Sequence, residues 1–188
     1  QILPEYMPAP RVKVTVTDDN GASTSEYMDL TIWNDVTAES TTADSGITVA
    51  YALQYSSITP YTITATDAST GVTGMELPGY SGQYDSVAVI DFAPDAQLGS
   101  LAASGVLSQS MTFTVPKSLL NGEGSIWFNQ GSMYQLIDNT AEDSTVDPTM
   151  SVFTWDLPAN EDTLSAGKFV LFGGALDLAE APTVGITA

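Results

Sequence analysis

The chain has 188 residues, which fits one folded domain, and its 43% hydrophobic and 14% charged residues are typical of a globular protein rather than a disordered one. It contains neither cysteine nor histidine, which excludes disulfides, thiolate metal sites and histidine acid–base chemistry. The 23 acidic residues outnumber the 4 basic ones, so the formal net charge is -19 and binding of nucleic acid by phosphate neutralisation is excluded.

This charge predicts a protein that needs concentrated salt. When a charge of -19 is spread over a sphere of radius about 20 Å, the self-repulsion is about 37 kcal/mol without salt and about 5 kcal/mol at about 1 M salt. Folding free energies are only about 5 to 15 kcal/mol. A folded state is therefore compatible with the repulsion at about 1 M salt but not with the repulsion in the absence of salt. We therefore expect a hypersaline environment, with an acidic protein of ordinary salt as the alternative.

In chain order, the first predicted element is an alternating strand from Arg11 to Thr17. Its valines, Val12, Val14 and Val16, point to one side, which predicts that this face is part of the core. The Asp18-Asp19-Asn20-Gly21 stretch that follows is typical of a turn, because Asn and Gly accept the positive φ of tight turns.

The segments that follow predict more short strands and long loops. Asn34 to Gly46 is polar and predicts a loop, as does Gly71 to Tyr84, which carries four glycines and one proline. Ser86 to Phe92 is apolar at successive positions, which predicts a strand buried on both faces. Short helical connectors are predicted at Asp95 to Ala103 and at Pro116 to Leu120.

The remaining predicted strands complete the pattern. They lie at 26–33, 47–55, 61–66, 110–115, 125–129, 133–137, 151–155, 168–172 and 183–186. Short strands punctuated by turns predict an all-β fold, a single jelly roll or β-sandwich barrel of about eight to ten strands, with residues 1–188 forming one domain.

Two short motifs resemble parts of catalytic sites. Asp44-Ser45-Gly46 matches the tripeptide of aspartic proteases, but that chemistry needs two carboxylates that share a proton and the chain holds one copy, so a turn before a strand is favoured. Ser165-Ala166-Gly167-Lys168 satisfies a Ser-x-x-Lys pattern, yet a glycine lies between the two groups and an apolar strand follows. We predict that no residue of this chain is catalytic.

Candidate binding residues are few. Gly122-Glu123-Gly124 lacks the third glycine of a dinucleotide loop, so no cofactor is predicted. The acidic pairs predict solvated turns, with loosely bound Na⁺, K⁺ or Ca²⁺ as the alternative. The tryptophans fall within predicted strands, which favours core packing over sugar stacking. The acidic pairs are Asp18-Asp19, Glu142-Asp143 and Glu161-Asp162, and the tryptophans are Trp33, Trp127 and Trp155.

Composition and strand order together resemble one family of proteins. The acidic, cysteine-free composition, the strand series from Val12 to Phe172 and the connector 113–120 leading to Ser125-Ile126-Trp127-Phe128 resemble the smaller major capsid proteins of icosahedral archaeal viruses with an internal membrane. The resemblance covers most of the chain, through architecture and composition. It implies a single vertical jelly roll that forms the shell of a virion in a hypersaline setting.

The resemblance also implies partners. These are a homologous larger capsid protein, further copies of this chain and, beneath the shell, the viral membrane or its proteins. The apolar residues on both faces of Ser86 to Phe92 and of Gly124 to Ile137 predict that part of this surface meets another subunit. A carbohydrate-binding or surface-layer β-sandwich module of a halophilic organism is the competing reading, although strands that run from near residue 11 almost to the C-terminus favour a complete subunit.

Overall fold

The computed structural model describes residues 11–30, 33–55, 61–95, 98, 106–131, 133–157 and 164–179. These residues form twelve strands and one short helix. In chain order they are β1 Arg11–Thr17, β2 Ser23–Asp29, β3 Asn34–Thr41, β4 Thr48–Tyr55, β5 Ile63–Asp67, β6 Ser86–Pro94, β7 Val106–Pro116, α1 Lys117–Leu120, β8 Gly124–Gln130, β9 Met133–Asp138, β10 Glu142–Asp143, β11 Met150–Leu157 and β12 Gly167–Gly173.

Ten of the strands form two five-stranded antiparallel sheets. Sheet I has the order β10-β11-β7-β4-β3 and sheet II the order β5-β6-β12-β8-β9, whereas β1 and β2 form a separate two-stranded hairpin. The chain crosses between the sheets after β4, β6, β7, β9 and β11, as in sandwiches and jelly rolls whose strands do not follow chain order. The prediction of an all-β sandwich or barrel is confirmed.

The main core lies between the two sheets. The alternation along β4 places its larger apolar side chains in this core, because successive residues of a strand point to opposite faces. The inward residues are buried and the outward ones half-buried; the inward residues are Val49, Tyr51, Leu53 and Tyr55. Aromatic rings from both sheets meet edge to face at the centre, where the Phe113 and Phe169 ring centroids are 4.7 Å apart.

Side chains join the sheets at both open sides of the sandwich. On one side, the Ser40 hydroxyl of β3 accepts a hydrogen bond of 2.9 Å from the Ala65 N–H of β5. On the other, a carboxylate oxygen of Asp138 on β9 accepts one of 2.9 Å from the Thr154 N–H of β11. These hydrogen bonds tie the two sheets together at their sides, while the sheets keep separate backbone ladders.

A second core covers the outer face of sheet II. Trp127 and Phe172 point away from the main core and are buried beneath residues of the long 71–84 loop, including Leu77. The loop prediction is confirmed, and so is burial of both faces in β6, since its successive residues Val89 and Ile90 are buried. Among the apolar residues that predicted a subunit contact, Val89 and Trp127 are covered here by the chain itself, whereas Val87 and Met133 remain exposed.

Two predictions about elements are wrong. The polar stretch from Asn34 to Gly46 was predicted as a loop, but Asn34–Thr41 is β3, an edge strand for which Val36 and Ala38 give enough inward apolar surface. Trp33 precedes β3 instead of lying within a strand. The Pro116 to Leu120 connector is confirmed as α1, which ends at Asn121 with φ 53°.

Three further predictions lie outside the described residues. Of the predicted helix from Asp95 to Ala103, the structure describes only Asp95 and residue 98, and the strand at 183–186 is not described. The Glu161-Asp162 pair also lies outside the described ranges.

The β1–β2 hairpin buries none of its residues. Its strands pair antiparallel over seven residue pairs, from Arg11 opposite Asp29 to Thr17 opposite Ser23, and every one of these residues is exposed. The prediction that Val12, Val14 and Val16 form a core face is wrong, because these side chains are 43%, 43% and 65% exposed. Alternation predicted the strand correctly but could not tell which surface its apolar side would meet.

Candidate functional site

The Asp44-Ser45-Gly46 tripeptide lies in a turn before β4, as the sequence favoured. The backbone N–H of Asp44 donates to Asp67 Oδ2 at 2.7 Å, and the Ser45 N–H lies 3.3 Å from both oxygens of the same carboxylate. Desolvation of Asp67 opposes ionisation, but hydrogen bonds from the Ser45 side chain and from the two backbone N–H groups outweigh it and lower the pKa of Asp67. The Asp67 carboxylate thus fixes the backbone of the Asp44-Ser45-Gly46 turn.

The predicted Ser-x-x-Lys pattern leads into a strand. Gly167 and Lys168 belong to β12, and the Lys168 ammonium forms an ion pair with Asp91 on the neighbouring β6. Gly167 is packed so tightly that a Cβ atom there would lie 2.5 Å from the Phe128 ring. Ser165 and Lys168 therefore do not share a helical face, as the chemistry of that motif requires.

The two acidic pairs that the structure describes, Asp18-Asp19 and Glu142-Asp143, do not converge on a metal site. The Asp18 carboxylate caps the hairpin turn by accepting from the N–H groups of Asn20 and Ala22, at 3.0 and 2.7 Å. Asp143 on β10 forms an ion pair of 2.6 Å with Lys117. Within the described residues, no three acidic side chains lie close enough to hold a metal ion.

The described tryptophans that lie in strands pack in the cores. Trp127 is 1% exposed in the second core, and its indole N–H donates to the Ser125 hydroxyl at 3.0 Å. Trp155 packs against Phe128 at a centroid distance of 5.6 Å. Trp127 therefore offers no open face for stacking against a sugar, and Trp155 is half-buried against the main core.

A shallow concavity of about 370 Å³ lies on the outer face of sheet I. Its polar groups include Asp35, Thr37, Gln54 and Asp156, and the Gln54 amide donates to the Asp35 carboxylate at 2.6 Å. The described lining residues include no aromatic side chain. Such a surface can hydrogen-bond a polyhydroxyl compound but offers it no stacking platform.

The hairpin presents the largest group of exposed apolar side chains among the described strands. Val12, Val14, Val16 and Met28, here called the valine face, point to the same side because Val12 lies opposite Met28 across the hairpin. The opposite side is mainly polar, although it also carries the exposed Tyr27 opposite Lys13. There Arg11 forms an ion pair of 2.6 Å with Asp29, and the hydroxyls of Thr15 and Ser25 are 2.7 Å apart.

The hairpin also carries two of the four cations of the chain, Arg11 and Lys13. Arg11, Lys117 and Lys168 each form an ion pair, whereas the structure gives Lys13 none within the described residues. Sequence reasoning missed this surface because it assigned the valines to the core. The sequence feature that could have indicated an exposed, functional surface was a strand with two cations and no carboxylate in a strongly acidic chain.

Comparison with protein-family models, with curated protein sequences and with solved structures finds no match for this chain. No helix in the described part of the chain is long and apolar enough to span a membrane.

Proposed function

We propose that this protein is a structural subunit of a shell that assembles in concentrated salt, namely a capsid subunit of a halophilic virus. The observation that carries the proposal is the valine face, which lies on a hairpin whose residues are all exposed. An isolated two-stranded hairpin is marginally stable in water, so an apolar face of this kind favours contact with another molecule.

The charge distribution supports assembly that depends on salt. Of the 23 acidic residues, those in the described strands lie mainly at exposed positions, so two approaching copies repel each other. At about 1 M salt the screening length falls to about 3 Å, and apolar contacts can then form between copies. Copies of this chain and a homologous larger capsid protein are the proposed partners, above a viral membrane.

The proposal assigns the chain no enzymatic activity. The turn that holds Asp44 and the strand that holds Lys168 supply structural roles for both motifs that resemble catalytic sites. Peptide and ester substrates should remain intact at high protein concentration. Turnover that disappears in Asp44→Asn or Ser165→Ala would restore an enzymatic function.

A carbohydrate-binding or surface-layer module is the second candidate. The concavity on sheet I favours it, since Asp35, Gln54 and Asp156 supply hydrogen-bonding groups on an open surface. Its lining has no aromatic ring, and for this reason the capsid subunit is preferred.

Electron microscopy separates the two candidates. The protein, alone and mixed with any larger protein that copurifies with it, is imaged at about 1 M salt and after dialysis to about 0.05 M. A shell subunit should give rings, sheets or closed particles at high salt that disperse on dialysis. Isolated particles in every sample, together with binding to an oligosaccharide array that is lost in Gln54→Ala, would establish the binding module instead.

A further inference from the structure

The edge strands of the described sheets differ in charge. These edges are β1 and β2 in the hairpin, β3 and β10 in sheet I, and β5 and β9 in sheet II. All of them except β1 carry a carboxylate, whereas β1 carries the cations Arg11 and Lys13, so in this acidic chain β1 is the edge at which a second copy meets the least repulsion. The carboxylates are Glu26 and Asp29, Asp35 and Glu39, Glu142 and Asp143, Asp67, and Asp138.

Strand β1 is, moreover, complementary to itself. If two copies align antiparallel about Val14, each Val12 lies opposite Val16 of the second copy and the two Val14 residues lie opposite each other. On the other side, Lys13 lies opposite Thr15 and Arg11 opposite Thr17, so no two like charges are directly opposed. The same alignment of β2 about Glu26 would place two carboxylates opposite each other.

We propose that β1 pairs with β1 of a second copy across a two-fold axis, which joins two hairpins into one four-stranded antiparallel sheet. This inference rests on the proposed function as a shell subunit and names the strand that makes the contact. Two-fold contacts are self-complementary by symmetry, which is the property that β1 shows.

The pairing satisfies two needs of the hairpin. The backbone N–H and C=O groups along the open edge of β1 gain partners in the second copy. The six valines of the two strands form one continuous strip, so each valine has an apolar neighbour across the new contact, whereas inside one copy Val14 faces Glu26 and Val16 faces Thr24. A second copy of β1 therefore gives this edge both backbone partners and apolar neighbours.

Single cysteine variants test the alignment, because the natural chain has no cysteine. Residues directly opposite in an antiparallel pair have Cα atoms about 4.5 to 5.5 Å apart, which is within disulfide reach. Val14→Cys should therefore form a disulfide-linked dimer in oxidising buffer at about 1 M salt. Val12→Cys alone should not, because its copies would lie about 14 Å apart along the strands.

Mixing gives a matched control for the register. An equimolar mixture of Val12→Cys and Val16→Cys should cross-link, although neither variant cross-links alone. Met133→Cys, at a position 76% exposed on β9, controls for random collision. Equal cross-linking of all four variants, or none by Val14→Cys, would overturn the proposed pairing.

A charge variant tests the same contact without cysteine. Val14→Asp would place two carboxylates opposite each other and should weaken association at least tenfold, whereas Val146→Asp, at a position 93% exposed, should leave it unchanged. If the wild type assembles and Val14→Asp assembles equally well, the β1 contact is wrong and the shell function stands. A wild type that stays monomeric at every salt concentration, with and without the larger protein, overturns both.

Discussion

Single residues with unusual environments in this protein serve the fold. Asp67 accepts backbone hydrogen bonds from the turn at Asp44 and Ser45, which ties the β3–β4 connection to β5. Tyr51 also links separate segments, inside the core. Its hydroxyl donates to Gln109 at 2.7 Å and accepts from the Leu164 N–H at 3.0 Å. Buried polar groups with partners of this kind fix one arrangement of the strands.

The buried tyrosines should make the protein sensitive to alkali. Desolvation raises the pKa of Tyr51 to about 12, against the hydrogen bond from Leu164, and desolvation also raises the pKa of Tyr61. Because the folded state favours the neutral phenols, their contribution to stability is complete below pH 10.0, the ordinary tyrosine pKa, and is lost as the pH rises toward about 12.

Phenolate absorbance and circular dichroism measured together test this prediction. Tyr51 and Tyr61 should ionise late and together with unfolding. Ionisation of all eight tyrosines near pH 10.0 with the native spectrum retained would contradict it.

At the scale of elements, alternation and turn chemistry identified most of the strands. The pattern was informative where large apolar residues alternate, as in β4, and weak where the edge strand β3 relies on Val36 and Ala38. It could not show that the 71–84 loop folds back over Trp127, because that contact joins segments far apart in the sequence. For the same reason, the free face of β1 was mistaken for core.

The covering loop should contribute measurably to stability. Leu77 is 3% exposed in the second core, so Leu77→Ala should lower the free energy of unfolding by about 2 to 5 kcal/mol. The fluorescence of Trp127, which lies beneath the loop, should shift to the red if the loop detaches. Leu178→Ala, at a position 74% exposed, is the matched control and should change stability by less than about 0.5 kcal/mol. Equal effects of the two variants would show that the loop does not seal this core.

At the scale of the whole molecule, charge is the dominant property. The net charge of -19 lies on a sandwich whose cores are apolar and whose described residues form three ion pairs, so we expect salt to offset much of the repulsion. The candidate site could be predicted only in part, since the sequence gives the charge and the hairpin but not the surface that remains uncovered.

Salt should therefore raise the thermal midpoint. We expect the midpoint from circular dichroism to fall steadily as salt is diluted from about 1 M to about 0.05 M, because the screening length grows beyond 10 Å over this range. A midpoint that stays constant or rises on dilution would remove the argument for a hypersaline origin.

Sedimentation velocity over a range of protein concentrations, at about 1 M and about 0.05 M salt, tests the central claim that this acidic sandwich is an assembling subunit. We expect the sedimentation coefficient to rise with protein concentration in the concentrated salt and this rise to be lost on dilution, while circular dichroism shows how much of the protein remains folded. A single monomeric species at every protein concentration in both salts, also in the presence of the larger copurifying protein, would contradict it.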